Sequence, residues 1–179
     1  MKLRLIIYFI LYCLFTACTS LSYEISEDEK IVNKITSETA RKLKREKKLY
    51  LVGTGGRMMH EVEMMYMGFD FFKEINLNEA RELLIYAINE YLYAINNNEE
   101  IRQYLITYPF TAKNVEIGIW VRKPDGDLPD LDKIYYISAI DGVLSYYLDL
   151  PETYSRQLIW EETFAEAQRI TLLDSNVKE

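Results

Sequence analysis

The sequence predicts an α+β domain in which an antiparallel β-sheet carries helices packed on one face. Two observations predict it. Apolar residues recur at helical spacing before residue 48 and between 76 and 96, whereas from Val115 to Leu150 the apolar period becomes two across consecutive segments with short connections. Strands that follow one another this closely pair as antiparallel neighbours, unlike strands that alternate with helices.

Each element has a local cause. Ser26 with Glu29 forms a capping-box pattern, Glu27, Asp28 and Glu29 place acid in the first turn, and Ile25, Val32, Ile35 and Leu43 share a stripe, so a helix is expected to about residue 48. Its end carries Arg41, Lys42, Lys44, Arg45, Lys47 and Lys48, which complement the negative pole of the helix dipole. Such a cluster would also suit anionic headgroups or lipopolysaccharide, although a solvated helix face is the plainer account. Residues 49–52 read as a buried strand ended by a glycine loop, and residues 62–75 as an extended stretch of ambiguous period. Asn76 with Glu79 starts a second helix with Leu77, Ala80, Leu84, Ile88, Tyr91 and Ile95 on one face, stopping at Asn96-Asn97-Asn98. A helical turn over residues 99–104 precedes Pro109.

The second half reads as β structure. Val115–Val121, residues 133–140 and Val143–Leu150 have the period of strands, and Asp141-Gly142 is a hairpin signal of the type that needs positive φ. Residues 155–161 add an edge strand. Thr163 with Glu166 caps a final helix expected to fray near Asp174.

The chain has 179 residues, 21 Lys+Arg and 28 Asp+Glu, for a formal charge of −7. It begins with cationic Lys2 and Arg4, an apolar stretch over residues 5–15, and small Thr16 and Ala17 before Cys18, the layout of an export signal. That apolar stretch is short of the roughly 20 residues needed to span hydrocarbon. Leu14-Phe15-Thr16-Ala17-Cys18 resembles the cleavage signal of a bacterial lipoprotein, with Ala17 and Thr16 in pattern and Phe15 standing where that family prefers Leu. The resemblance implies cleavage before Cys18, acylation of that residue with palmitate-class chains, and a membrane anchor. Thr19 stands where Asp would mark inner-membrane retention, so the implied destination is the outer membrane. The rest of the chain is similar to uncharacterised bacterial lipoproteins of this size, a likeness that carries no activity.

The expected organisation is therefore a signal peptide over 1–17, a lipidated tether over 18–25, and one α+β domain over 26–174. Loss of Lys2 and Arg4 with the leader takes the charge from −7 to −9, which disfavours nucleic acid as a partner. Cys13 leaves as well and Cys18 is blocked, so no disulfide or thiolate chemistry is expected.

Several residues invite chemistry. Gly53, Thr54, Gly55, Gly56 and Arg57 look like an anion- or ligand-binding loop, yet the spacing fails both nucleotide fingerprints, and a tight turn explains the glycines as well. Met58, His60 and Met64 lie in a methionine cluster that could hold Cu(I), but the same residues suit an apolar core, and no metal or cofactor is expected. With one histidine, His60, neither a His-rich zinc site nor a serine triad with another histidine in reserve can be assembled. Asp125, Asp127, Asp130 and Asp132 gather carboxylates of the kind that bind Ca²⁺ weakly, but without the EF-hand order, and a long hairpin loop requires the same residue types. The pairs Tyr135-Tyr136 and Tyr146-Tyr147 put one ring on each face of neighbouring strands, so an aromatic surface for a protein, peptide or glycan partner is expected on the uncovered face, with cross-strand stabilisation as the simpler role. The sequence therefore favours a membrane-anchored, non-enzymatic binding module for an envelope protein or peptide. The alternatives are a carboxylate-dependent wall-glycan hydrolase and a small-ligand carrier using the glycine segment.

Overall fold

The computed structural model of the chain describes residues 25–150 and 155–177, with side chains as far as Leu173. The expected leader, Cys18 and the tether before Ile25 lie outside the described residues. The elements run α1 (Glu27–Lys47), β1 (Tyr50–Arg57), β2 (Met64–Phe71), α2 (Leu77–Asn96), a 3₁₀ turn (Arg102–Tyr104), β3 (Val115–Val121), β4 (Ile134–Ile140), β5 (Val143–Leu150), β6 (Ser155–Thr163) and α3 (Phe164–Val177). The strands form one six-stranded sheet in sequence order. Among these helices none is long and apolar enough to cross a membrane.

The α+β class holds, with one departure from a purely antiparallel sheet. β2 and β3 pair in parallel, and the other neighbours are antiparallel. The cause is α2, which at about 1.5 Å per residue is long enough to carry the chain back to the end where β2 began. Met65, Met67, Phe69 and Phe71 of β2 and Val115, Ile117, Ile119 and Val121 of β3 join Leu84, Ile88, Tyr91 and Ile95 of α2 in one core, which also takes Leu43 of α1 and Ala167 of α3. All three helices thus cover the same face. Alternation along the strands sends Tyr66, Gly68 and Asp70, and beside them Glu116, Gly118 and Trp120, to the other face.

The caps differ in how far they follow the sequence. Asn76 Oδ1 accepts from the amides of Asn78 (2.9 Å) and Glu79 (3.0 Å) while Glu79 Oε2 accepts from the Asn76 amide (3.0 Å), completing the box. Thr163 and Glu166 do likewise, with the Thr163 amide donating to Glu166 at 2.8 Å. Ser26 is extended but its side chain makes no capping bond, so only the backbone starts α1, and the helix ends at Lys48 in the left-handed region (φ 58). The two capping carboxyls titrate below the usual range. The Asn76 amide and then Lys73 hold Glu79 down, and the Thr163 amide and hydroxyl hold Glu166 down. A lowered folded value means stability that is present above the ordinary glutamate value of about 4.3 and is lost as pH falls through the folded one. Glu79→Ala and Glu166→Ala are each expected to lower the urea midpoint at neutral pH. Their deficit against the wild type should shrink as pH falls below the ordinary glutamate range and through the lowered folded values; an undiminished deficit in acid would separate the caps from ionisation.

The glycine segment is the main correction. Gly53, Thr54, Gly55, Gly56 and Arg57 are not a loop but the continuation of β1, paired with Met64 through Gly68 on β2. Among the described glycines only Gly126 (φ 95) and Gly142 (φ 76) have positive φ. Glycine permits an extended backbone as readily as a turn, and the ladder to β2 decides between them. The shift in register between Leu51 and Gly53 leaves Val52 as a bulge, and a matching irregularity leaves Ile159 unpaired in β6. Both outer strands therefore carry a bulge, a device that discourages edge-to-edge pairing. Asp141 (φ 50) and Gly142 form the hairpin turn as the sequence requires.

One polar cluster is buried in the helix-covered layer. Arg81 Nε donates to Glu162 Oε1 at 2.7 Å, the Tyr146 hydroxyl donates to the same oxygen at 2.7 Å, and Arg81 also reaches Asn78 Oδ1 at 2.7 Å. Arg81 and Glu162 keep only 5% and 4% of their side-chain exposure, and Glu162 Oε2 has no partner. The cluster ties α2 to the last two strands.

Candidate functional site

The sheet face away from the helices is built from two parallel rows across the strands. One row, in register, is Asp70, Trp120, Tyr136 and Tyr147, and the next is Gly68, Gly118, Ser138 and Ser145. Large side chains therefore stand beside a floor of small ones. Trp120 and Tyr136 have ring centroids 5.1 Å apart at 45°, and Tyr136 and Tyr147 are 5.8 Å apart at 36°. The Arg156 guanidinium caps the row 4.3 Å from the Tyr136 centroid. At one end Arg122 donates to Asp70 at 2.9 Å, and along the floor Ser145 Oγ donates to Glu161 at 3.1 Å.

The glycines are required by the rings. A Cβ on Gly68 would come within 2.5 Å of the Tyr66 hydroxyl, and one on Gly118 within 2.7 Å of the Tyr136 hydroxyl and 3.2 Å of that of Tyr66. Both phenols therefore lean over the floor and converge on Gly118. Burial pushes both phenols above the usual tyrosine range, reinforced at Tyr66 by neighbouring Tyr136 and Glu116 and opposed at Tyr136 by Arg156. They stay protonated at neutral pH and offer hydroxyl donors beside half-buried rings. The surface combines stacking area, phenol and serine hydroxyls, the Arg156 guanidinium over Tyr136, and the carboxylates Asp70 and Glu161, the first of them paired with Arg122, a set that suits an extended polypeptide or another flat, polar chain.

Of the residues singled out by sequence, Tyr136 and Tyr147 meet on this face as cross-strand partners, Tyr146 turns into the core, and Tyr135 stands at the irregularity in β4. Burial and the Glu162 carboxylate push the Tyr146 phenol far up. Sequence reasoning missed Tyr66, Trp120 and Arg156. The signal was present in Tyr66-x-Gly68-x-Asp70 and Glu116-x-Gly118-x-Trp120, because an isolated glycine within a strand marks a close approach from above.

The other candidates do not assemble. Met65 and Met67 are core residues, Met58 packs beside Gly56, and His60 is exposed in the turn after β1, so the methionine cluster is divided between interior and surface. Arg57 faces Glu63 at 3.8 Å. Asp130 pairs with Lys123 at 2.7 Å, Asp132 with Lys133 at 3.1 Å, and Asp125 accepts from the Asp127 amide at 3.1 Å, so these carboxylates are dispersed among local partners. Among the described residues no group of three or more His, Cys, Asp or Glu is arranged for a metal ion. Comparison with protein-family models, with curated proteins and with solved structures finds no match to this chain.

Proposed function

We propose that this chain is a lipid-anchored envelope protein, held through Cys18 at the outer membrane, that binds an extended segment of another envelope protein across the aromatic face of its sheet. The observation that carries the reading is the row Trp120, Tyr136 and Tyr147, capped by Arg156 and bordered by a floor of glycine and serine on the face the helices leave uncovered. The anchor rests on the leader and on the lipobox-like residues before Cys18. Binding is favoured over carboxylate hydrolysis because a general acid works when its pKa is raised toward neutrality. Among the described residues the carboxyls with a shift, Glu46, Glu79, Asp130 and Glu166, all move down, held by hydrogen bonds from Tyr86, Asn76, Lys123 and Thr163.

The test is crosslinking and affinity capture of the tagged, membrane-anchored chain from its own cells, beside Trp120→Ala and Tyr147→Ala. Each substitution removes an aromatic anchor, and the captured partner is expected to bind roughly 30-fold more weakly while thermal unfolding stays near that of the wild type. Capture that ignores both substitutions, or digestion of wall glycan by the purified chain, would overturn the reading.

A further inference from the structure

This acidic chain carries a cationic corner. The last turns of α1 bring Arg41, Lys44, Arg45, Lys47 and Lys48 against the start of β1, and Lys73 joins them just beyond the end of β2. Some of these charges are answered locally: Arg41 faces Glu38 at 3.9 Å, Arg45 faces Glu46 at 3.2 Å, and Lys73 faces Glu79 at 2.9 Å. Lys44, Lys47 and Lys48 have no carboxylate partner among the described residues, and two of them lie over rings, Lys44 at 5.2 Å from Tyr50 and Lys47 at 4.5 Å from Tyr86. Between the cations the surface is apolar. Tyr50, Leu51 (41% exposed), Val52 (55%) and Phe72 are all open to solvent, with Tyr50 and Phe72 in edge contact at 5.4 Å. Two shallow hollows of about 310 and 440 Å³ flank Tyr50, one bordered by Arg41 and Lys44 and the other by Lys47, Lys48 and Lys73.

We infer that this corner is the surface by which the domain rests on an anionic phospholipid bilayer. Unpaired lysines around exposed aromatic and aliphatic side chains match a partner that presents phosphates and hydrocarbon at adjoining depths. An acidic protein would answer the lysines but leave Leu51 and Val52, at a bulge on the sheet edge, without a reason to be exposed. The geometry also allows it. Cys18 precedes Glu27 by nine residues, whose reach is at most about 30 Å, and α1 is about as long at 1.5 Å per residue, so an anchored chain can lay α1 along the membrane with its basic end at the headgroups. In that pose β6 and Arg156, at the opposite edge of the sheet, stand away from the bilayer.

The test is a lysine-acetylation footprint, read by mass spectrometry, of the full chain reconstituted in phosphatidylcholine vesicles with and without phosphatidylglycerol. Labelling of Lys44, Lys47 and Lys48 is expected to fall about fivefold on the anionic vesicles alone and to recover in high salt, while Lys113, beside the Asp141-Gly142 turn at the other end of the sheet, labels equally on both. In the exposed triple variant Lys44→Gln/Lys47→Gln/Lys48→Gln, the lipid-dependent protection of Lys73 should disappear while unfolding stays cooperative, with a melting temperature lowered by a few degrees at most through the lost helix-end charges and ring contacts. Equal labelling on the two vesicle types, protection centred elsewhere, or protection by soluble poly-glutamate but not by vesicles would overturn the inference. None of these lysines lies in the aromatic row, so the outcome is independent of partner capture through Trp120.

Discussion

Arg81→Ala is expected to lower the unfolding free energy by about 3–5 kcal/mol, because it strands the Glu162 carboxylate in the interior with only the Tyr146 hydroxyl to answer it. For a domain of this size that corresponds to a fall in melting temperature on the order of 10 °C. The magnitude comes from the uncompensated charge more than from the lost contact. Replacing Arg81 and Glu162 together by apolar residues of similar volume should therefore cost less than the single change. Tyr146→Phe keeps the ion pair and removes one donor, for a smaller loss of about 1.5–3 kcal/mol. Urea unfolding of the variants orders them. An Arg81→Ala loss below about 1 kcal/mol, the range of exposed pairs, would mean that water reaches the pair in solution.

Phe69→Ala is expected to cost a similar 3–5 kcal/mol, for a different reason. Phe69 is fully buried, stands between Leu51 of β1 and Ile119 of β3, and sits under the helix layer in the strand that forms the parallel pair. Its ring fills space that neighbours on three elements cannot close over without leaving the ladder, so a cavity remains. The exposed Leu128→Ala serves as the control and should change stability by no more than about 0.5 kcal/mol. A fall in urea midpoint at constant slope is the expected signature, whereas a changed slope would place part of the effect in the denatured ensemble.

These two sites show why some of the structure was legible and some was not. The α2 stripe and its Asn76–Glu79 cap are written within a few residues of each other, and a helix satisfies its own backbone, so both could be read directly. The Asp141-Gly142 turn is equally local. Ser26 looked like the same kind of cap, yet its hydroxyl makes no such bond. The Arg81–Glu162 pair spans 81 positions, and nothing near either residue announces the other.

The aromatic face was half visible. Alternation alone placed one ring of each Tyr pair on the open side, and Tyr136 and Tyr147 do meet there. Trp120 and Tyr66 joined them only because the parallel register sets Gly68 beside Gly118, making one floor from two strands that lie about 50 positions apart in sequence.

By itself the sequence determined the α+β class, the positions of most helices and strands, the acidic surface and the basic end of α1, because periodicity, capping and charge act over a turn or a strand. Tertiary structure alone decided that the glycines of β1 are extended, that β2 and β3 run in parallel, and which side chains share the uncovered face. Those outcomes depend on hydrogen bonds and packing between distant segments, whose partners are chosen by the whole sheet and not by neighbouring residues.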